Sequence, residues 1–588
     1  MIYIQISLLL LLLISSILSP SFFTVVTAEL RKFDLHISQS QLDPDCFGTS
    51  YPALLVNGQF PGPTLRAVRG DEVEVRVTND ADVPTSIHFH GIRQYGTVES
   101  DGVPDVTQNA INPGSTFIHR FQLIGQAGTY FYHAHVGVQD DTVQGAFISD
   151  GYTPEKNTGH LREHIYQDGP HGYDDEFILH LTEWWHQAYS EREDLYLGGG
   201  FTHDPSSDSL LFNGRTLHNA SEPGQQHCEG HTVFDVLPDR TYRMRVIGGN
   251  TFRTFGLAIK GHNMTIIEVD GELVHPYTTD HLEVTPGQRF SVLLHTKPFD
   301  PRFLNGGNMF AIATAYRYRS RGSGYTENGY GFLRYVDTSQ MLNKRDSLPS
   351  PLSGIQSTFP RIPNPITRDW IWQQLRPIQS IAGKNLDQPP DRTLKMRTWS
   401  VKLPDKSTRY LVNGKLSPMI TNMFDLSLAT SSSELDDQED PMLDQFTLSK
   451  MESTDGYEPE IGTYPIRLNE TVDIVLQNVK SGRNCLLHPW HTHGHSHYVL
   501  ASGDGEYVHE RDQSIRNFPH PIYKDVSAVY ASEIDPQTKG CGWTKIRIHA
   551  DNPGVWAVHC HITAHMLQGK MFLLEEASEW IDKFRRYK

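Results

Sequence analysis

The chain has 588 residues, of which 51 are basic and 69 acidic, for a formal charge of −18. That length exceeds one domain and suits about three or four of ~150 residues each. The negative charge argues against a polyanionic partner such as nucleic acid, and acidity alone names no substrate.

In chain order, the first element is an apolar run from Leu8 to Leu18 that leads to Val26-Thr27-Ala28, a small-residue pattern suited to signal-peptidase cleavage. Residues 1–28 are therefore expected to be a signal peptide, with a membrane anchor as the alternative, and the mature chain to start near Glu29. No later stretch reaches ~20 uninterrupted apolar residues. The mature chain is expected to be soluble and secreted, extracellular or cell-wall associated, with sequons at Asn219, Asn263 and Asn469 open to glycosylation. Its oligomeric state is left open.

Short β-rich runs follow, such as Glu72-Val73-Glu74-Val75-Arg76-Val77, alternating polar with apolar and bounded by Gly, Pro, Asn or Asp. They read as antiparallel β-sandwiches. Gly114-Ser115-Thr116-Phe117 through His133-Ala134-His135 is echoed by Gly542-Trp543-Thr544-Lys545 through His559-Cys560-His561, so the first and last domains read as duplicated copies. Between them, Asp239 to His295 has the same strand texture without a His-x-His pair and reads as a metal-free middle domain. The Pro- and Ser-rich stretch Ser347 to Pro365 reads as a linker, and the acidic run Glu434 to Asp444 as a solvated loop, with substrate gating as its alternative.

Five cysteines are an odd number, so in an oxidising compartment one thiol is left over or metal-bound. Cys560, with a histidine on each side, is the odd one. Cys46, Cys228, Cys485 and Cys541 allow three pairings.

Four histidine clusters carry the chemistry: His88-Phe89-His90, His133-Ala134-His135, His488-Pro489-Trp490-His491-Thr492-His493-Gly494-His495, and His559-Cys560-His561 with His565. On a strand, residues i and i+2 share a face, so each His-x-His pair offers two imidazoles to one metal cluster. Parity divides them further. His491, His493, His559 and His561 fall on one face, and His488 and Cys560 on the other, joined by His565 beyond a turn. Two separate metal sites follow. Two histidines and a cysteine are the ligand set of blue copper, whereas redox-silent zinc would leave Cys560 without purpose.

At these residues the chain resembles the three-domain multicopper oxidases, the family of laccases, ascorbate oxidases and fungal ferroxidases. The resemblance spans essentially the whole mature chain. It implies an all-β fold of three tandem cupredoxin-like Greek-key β-sandwich domains, at 29–152, 153–345 (copper-free) and 391–588, with a linker at 346–390. It also implies four copper ions: a type 1 copper on His488, Cys560 and His565, a type 2 copper on His88 and His491, and a type 3 pair on His90, His133, His135, His493, His559 and His561. The implied partners are a small-molecule reductant and O2, with electrons passing from Cys560 through His559 and His561. Asp101 in Ser100-Asp101-Gly102 matches the family carboxylate beside the cluster, which implies a part in delivering protons to it, although an aspartate before glycine also suits a turn. One of Trp184 and Trp185 matches a tryptophan lining the ascorbate oxidase substrate site, where His565 would also meet substrate; both are alternatively core aromatics. The resemblance further suggests a Cys46–Cys228 bridge, leaving Cys485 with Cys541.

Three positions depart from the family pattern. Lys570 stands at the axial position ten residues after Cys560, Met571 being out of register. Thr563 stands where an acid usually helps deliver protons, and Asn109 replaces a bridging cysteine of ascorbate oxidases. The expected activity is oxidation of phenols, pigment precursors or ascorbate. A ferroxidase, suggested by His565-Met566-Leu567-Gln568-Gly569, and a non-catalytic surface protein are the alternatives.

Overall fold

The computed structural model describes residues 28–151, 166–168, 170–219, 229–301, 303, 307–317, 329–337, 347–348, 360, 362, 370–378, 386–417, 456–458, 462–480 and 485–586. The expected signal peptide, Cys228, the acidic run 434–444 and most of the expected linker lie outside these residues. Among the described residues, no helix is long and apolar enough to cross a membrane.

Strands dominate, and they pair into three sandwiches, each made of two sheets. One pairing scheme recurs in all three. Leu30–Leu42 runs parallel to Glu72–Asn79 and antiparallel to Tyr51–Val56. Asp175–Trp184 runs parallel to Thr241–Gly248 and antiparallel to Ser209–Phe212. Arg392–Lys402 runs parallel to Thr471–Val479 and antiparallel to Thr408–Val412. The middle unit is thus a copy of its neighbours in topology although it lacks their histidine pairs. The repeated sequence segment has a structural counterpart too: Thr116–Gln122 and Gly128–His133 lie in opposite sheets of the first sandwich, as Gly540–His549 and Gly554–Cys560 do in the third.

Alternation explains the cores. In Glu72–Asn79 the valines Val73, Val75 and Val77 are buried, while Glu74 between them is bound by Lys32 and Arg120. Burying such side chains is worth roughly 1.5–3 kcal/mol each. The second and third sandwiches share one core, since Phe290, Val292 and Trp372 cluster with Leu487, Val499, Phe518 and Tyr530. Trp372 Nε1 donates to the Tyr530 hydroxyl at 2.8 Å, which donates to Glu283 at 2.6 Å. This contiguous packing gives the fixed spacing that a site assembled from the first and third sandwiches requires.

Candidate metal centre

Two of the third sandwich's strands, His488–Thr492 and Gly554–Cys560, lie side by side with Trp490 opposite Cys560 and His491 opposite His559. Strand alternation therefore sends His488 and Cys560 to one face and His491, His559 and His561 to the other. His493 sits one residue past the strand end.

On the first face, the Cys560 Sγ lies 3.8 Å from His488 Nδ1 and 3.6 Å from His565 Nδ1. All three residues are buried, and Cys560 belongs to the core of Trp490, Val558, Ile562 and Phe572. His565 reaches the site because the chain turns into a short helix, Thr563–Leu567, directly after the strand. Two backbone bonds close that loop: Cys560 N–H to Lys570 O at 3.0 Å and Lys570 N–H to His565 O at 2.9 Å. The outer nitrogen of His565, Nε2, is 3.1 Å from the Asp204 carboxylate.

Lys570 is buried, and its amine lies 4.8 Å from the Tyr410 ring centroid. That ring is 5.0 Å from His565, which puts the Lys570 amine one ring away from the Cys560 site. Met571 packs with Ala557 and Leu573, whereas its neighbour Phe572 packs in the cluster of Cys560. Its thioether therefore points to the opposite face and does not stand in for an axial ligand.

On the second face, eight imidazoles from the first and third sandwiches converge. His90, His133 and His561 form one triad, His135, His493 and His559 a second, and His88 joins His90 and His491 in a third. His493 Nε2 is 3.0 Å from His559 Nε2, and His561 Nε2 is 3.1 Å from His90 Nδ1. Burial, reinforced by neighbouring imidazoles, pushes His90, His133, His135, His493 and His561 well below the usual histidine range. Neutral imidazole is the form that ligates metal.

Carboxylates behind the rings fix the orientation of several. Asp101 Oδ2 accepts from His493 Nδ1 at 2.9 Å, and its backbone oxygen accepts from His88 Nδ1 at 2.6 Å. This leaves both Nε2 atoms for the cluster. Burial pushes the Asp101 carboxyl up, but His493 and His88 outweigh it and hold it far below its ordinary value. Asp525 does the same work from the third sandwich. Its backbone oxygen accepts from His491 Nδ1 at 3.1 Å and its Oδ1 from His90 Nε2 at 3.2 Å. Arg289 of the middle sandwich clamps Asp525 with two bonds of 2.6 Å. The middle sandwich also supplies Gly287 at φ +80°, where a Cβ would come within 2.8 Å of His561 and 2.9 Å of His90. Only glycine lets the backbone approach so closely.

The fit to metal can be tested on the nitrogens themselves. His88, His133 and His491 each turn Nδ1 to a backbone oxygen and leave Nε2 buried without a hydrogen-bond partner. Unpaired buried polar atoms cost about 1–3 kcal/mol each, and cations held in the cluster would satisfy these three. His495, by contrast, lies against Glu576 at 2.8 Å, outside both sites.

Trp184 packs with Ala53, Leu55 and Leu211, and Trp185 lies in the core of the third sandwich with Arg192 4.0 Å over its ring. Both are buried, and both line a small cavity with Gln139, Asp141 and Arg192. Cys485 and Cys541 form a disulfide, and Cys46 is disulfide-bonded. Asn219, Asn263 and Asn469 are exposed. Thr563 donates its hydroxyl to Asp140, a carboxyl that burial pushes up to about 7 against the opposing pull of Thr563 and Arg192. Sequence reasoning missed Asp140, Asp204, Arg289 and Asp525. Each acts from a different strand or loop, and nothing in its local sequence marks it.

Comparison with known proteins agrees with this geometry. Three family models described as multicopper oxidase match residues 36–151, 175–338 and 435–579. An L-ascorbate oxidase of Nicotiana tabacum is 30% identical, covering 95% of this chain and 92% of its own. An iron transport multicopper oxidase of Kluyveromyces lactis is 28% identical over 90% of this chain and 73% of its own. Among solved structures, a laccase from Botrytis aclada superposes with a TM-score of 0.71 at 25% identity, covering 96% of this chain and 90% of its own. With three cupredoxin-like sandwiches, buried histidine clusters suited to copper and kinship along nearly its whole length, this chain belongs to the multicopper oxidases, oxidoreductases that take electrons from a reductant and pass them to O2.

Proposed function

We propose that the chain is a secreted oxidase of small reducing organics, namely phenols, pigment precursors or ascorbate, holding four copper ions. His488, Cys560 and His565 hold the type 1 ion, His88 and His491 the type 2 ion, and His90, His133, His135, His493, His559 and His561 the type 3 pair. The domain limits 29–152, 153–345 and 391–588, the linker 346–390, and glycosylation at Asn219, Asn263 and Asn469 belong to the same reading. Bound copper supplies one-electron oxidation of the reductant and reduction of dioxygen to water. Cys560 shares its backbone with His559 and His561, a short bonded path between the two sites.

The observation that carries the substrate class is Asp204 against the outer nitrogen of His565. A phenol or enediol losing an electron becomes strongly acidic, and a carboxylate within hydrogen-bond reach can take the proton as the electron leaves. The same carboxylate would also suit Fe2+, and the Kluyveromyces relative carries the name of an iron transport oxidase. The Lys570 amine at Tyr410, one ring away from His565, repels an incoming cation and favours neutral or anionic reductants. Oxygen uptake measured with ascorbate, substituted phenols and ferrous iron offered separately decides between them. Faster turnover with an organic is expected, and Asp204→Asn should slow it; faster turnover of ferrous iron would reverse the assignment.

Lys570 also sets how readily the first site accepts an electron, since a nearby cation favours the reduced state. Lys570→Leu is expected to lower the midpoint potential, because removing a nearby positive charge destabilises the reduced state. Redox titration of the blue absorption measures it, and an unchanged potential would show that Lys570 does not tune this site.

Proton supply runs through Asp140. Thr563 follows His561 by two residues and has no acid of its own, yet its hydroxyl is bonded to the Asp140 carboxyl of the first sandwich. With its proton held up to about 7, Asp140 is loaded below that pH and empty above it. The turnover rate should therefore fall as pH rises through about 7. Asp140→Asn should cost roughly 10²-fold, within the usual range for acid–base groups, and flatten that limb. A variant with the wild-type pH profile would exclude this route.

A further inference from the structure

The second sandwich lacks a His-x-His pair, yet two of its histidines meet a carboxylate of the first sandwich. Asp45 Oδ2 lies 2.7 Å from His186 Nε2 and 3.5 Å from His218 Nδ1. These three atoms all fall within 4.8 Å of one another. None of the three residues takes part in the histidine clusters described above. We infer that Asp45, His186 and His218 form a separate binding site for one divalent transition-metal cation of zinc type, placed across the junction of the first and second sandwiches.

The donor set is the first reason. Two imidazoles and a carboxylate are three ligands of the kind that hold Zn2+ tetrahedrally with a fourth position open, and nitrogen and oxygen donors without a thiolate suit it. The second reason is that Asp45 is fully buried and its other oxygen, Oδ1, has no hydrogen-bond partner. A buried carboxylate oxygen without a donor is costly in a protein and satisfied by a cation.

The third reason is charge. Asp43 and Asp208 add their negative charge to that of Asp45 at His186. Asp43, two residues before Asp45, accepts from the Phe47 and Gly48 amides at 2.9 Å each. Asp45 Oδ2 also accepts from the Ser209 hydroxyl. A metal ion would relieve this concentration of carboxylates, displacing the proton that His186 shares with Asp45.

The rings are also held in place before any ion arrives. His186 stacks on Phe47 at 3.8 Å and on Tyr51 at 5.6 Å, and His218 meets the edge of Phe47 at 5.0 Å. The backbone N–H of His218 donates to Asp45 O at 2.7 Å, that of His186 donates to Asp208 at 2.7 Å, and the next residue, Cys46, is disulfide-bonded. Access is open from the rim, where Phe47 is 46% exposed. Because the ligands come from two sandwiches, an ion here would pin them together and stabilise the fold by mass action.

The test uses the copper-loaded full-length protein, freed of loosely bound metal and titrated with Zn2+ alone. Wild type should bind one zinc equivalent and unfold at a higher temperature with zinc than without. Asp45→Asn and the less buried His218→Gln should lose both responses while keeping wild-type blue absorption and oxygen uptake. Failure of wild type to bind zinc, or equal binding by folded His218→Gln, would overturn the inference. Because the blue absorption is read in the same samples, failure of the copper assignment is distinguishable from failure of the zinc site.

Discussion

Cys560→Ser is expected to abolish substrate oxidation and the blue colour while the eight-imidazole cluster keeps its metal. The Cys560 Sγ sits between His488 and His565 at 3.8 and 3.6 Å, and a hydroxyl neither ionises like a thiol nor shares electron density with copper as sulfur does. The change is nearly isosteric, and the backbone bonds that hold the loop, Cys560 N–H to Lys570 O among them, do not involve the side chain. His559 and His561 therefore keep their places on the other face. The loss should exceed the ~10–100-fold that removal of an outer-shell partner costs. Oxygen uptake with any reductant, read beside total copper, checks it. Retained uptake in a colourless, fully folded variant would refute the electron path through Cys560.

The histidine clusters were legible in the sequence because β-strand geometry has a period of two. His488, His491 and the His559-Cys560-His561 run could be assigned to faces from spacing alone, and the repeat linking the first and third domains follows from the same regularity. What could not be read is everything that depends on contact between distant strands. Asp525 reaches His90, 435 residues earlier in the chain, and Asp140 reaches Thr563 across 423 residues. No local pattern encodes such separations. Thr563 shows the consequence: by itself it reads as a lost acid, whereas in the fold the acid comes from the opposite sandwich. Lys570 likewise reads as a failed ligand in sequence. Folded, its amine rests against Tyr410, whose ring lies 5.0 Å from His565.

The largest effect on stability should come from separating Asp525 and Arg289. Both are buried, and the guanidinium makes two bonds of 2.6 Å to the carboxylate. Arg289 is consequently held above its ordinary range, burial opposing and Asp525 with Asp270 prevailing. Asp525→Leu leaves that cation in the interior with only the longer 3.8 Å contact to Asp270, and breaking such a buried pair costs about 3–5 kcal/mol. It also removes the acceptor of His90 Nε2–H, although the backbone oxygen still serves His491. A pair of variants separates these two roles. Replacing both residues, Asp525→Leu with Arg289→Leu, removes the unpaired charge, and such exchanges are often neutral or stabilising. The double variant should therefore recover most of the unfolding temperature. It should not recover copper affinity, because His90 remains unoriented, a loss of about 10–100-fold. Thermal unfolding and copper content measured on the single and double variants test both halves. If the double variant binds copper like wild type, Asp525 is only a counter-ion for Arg289 and does not position the cluster.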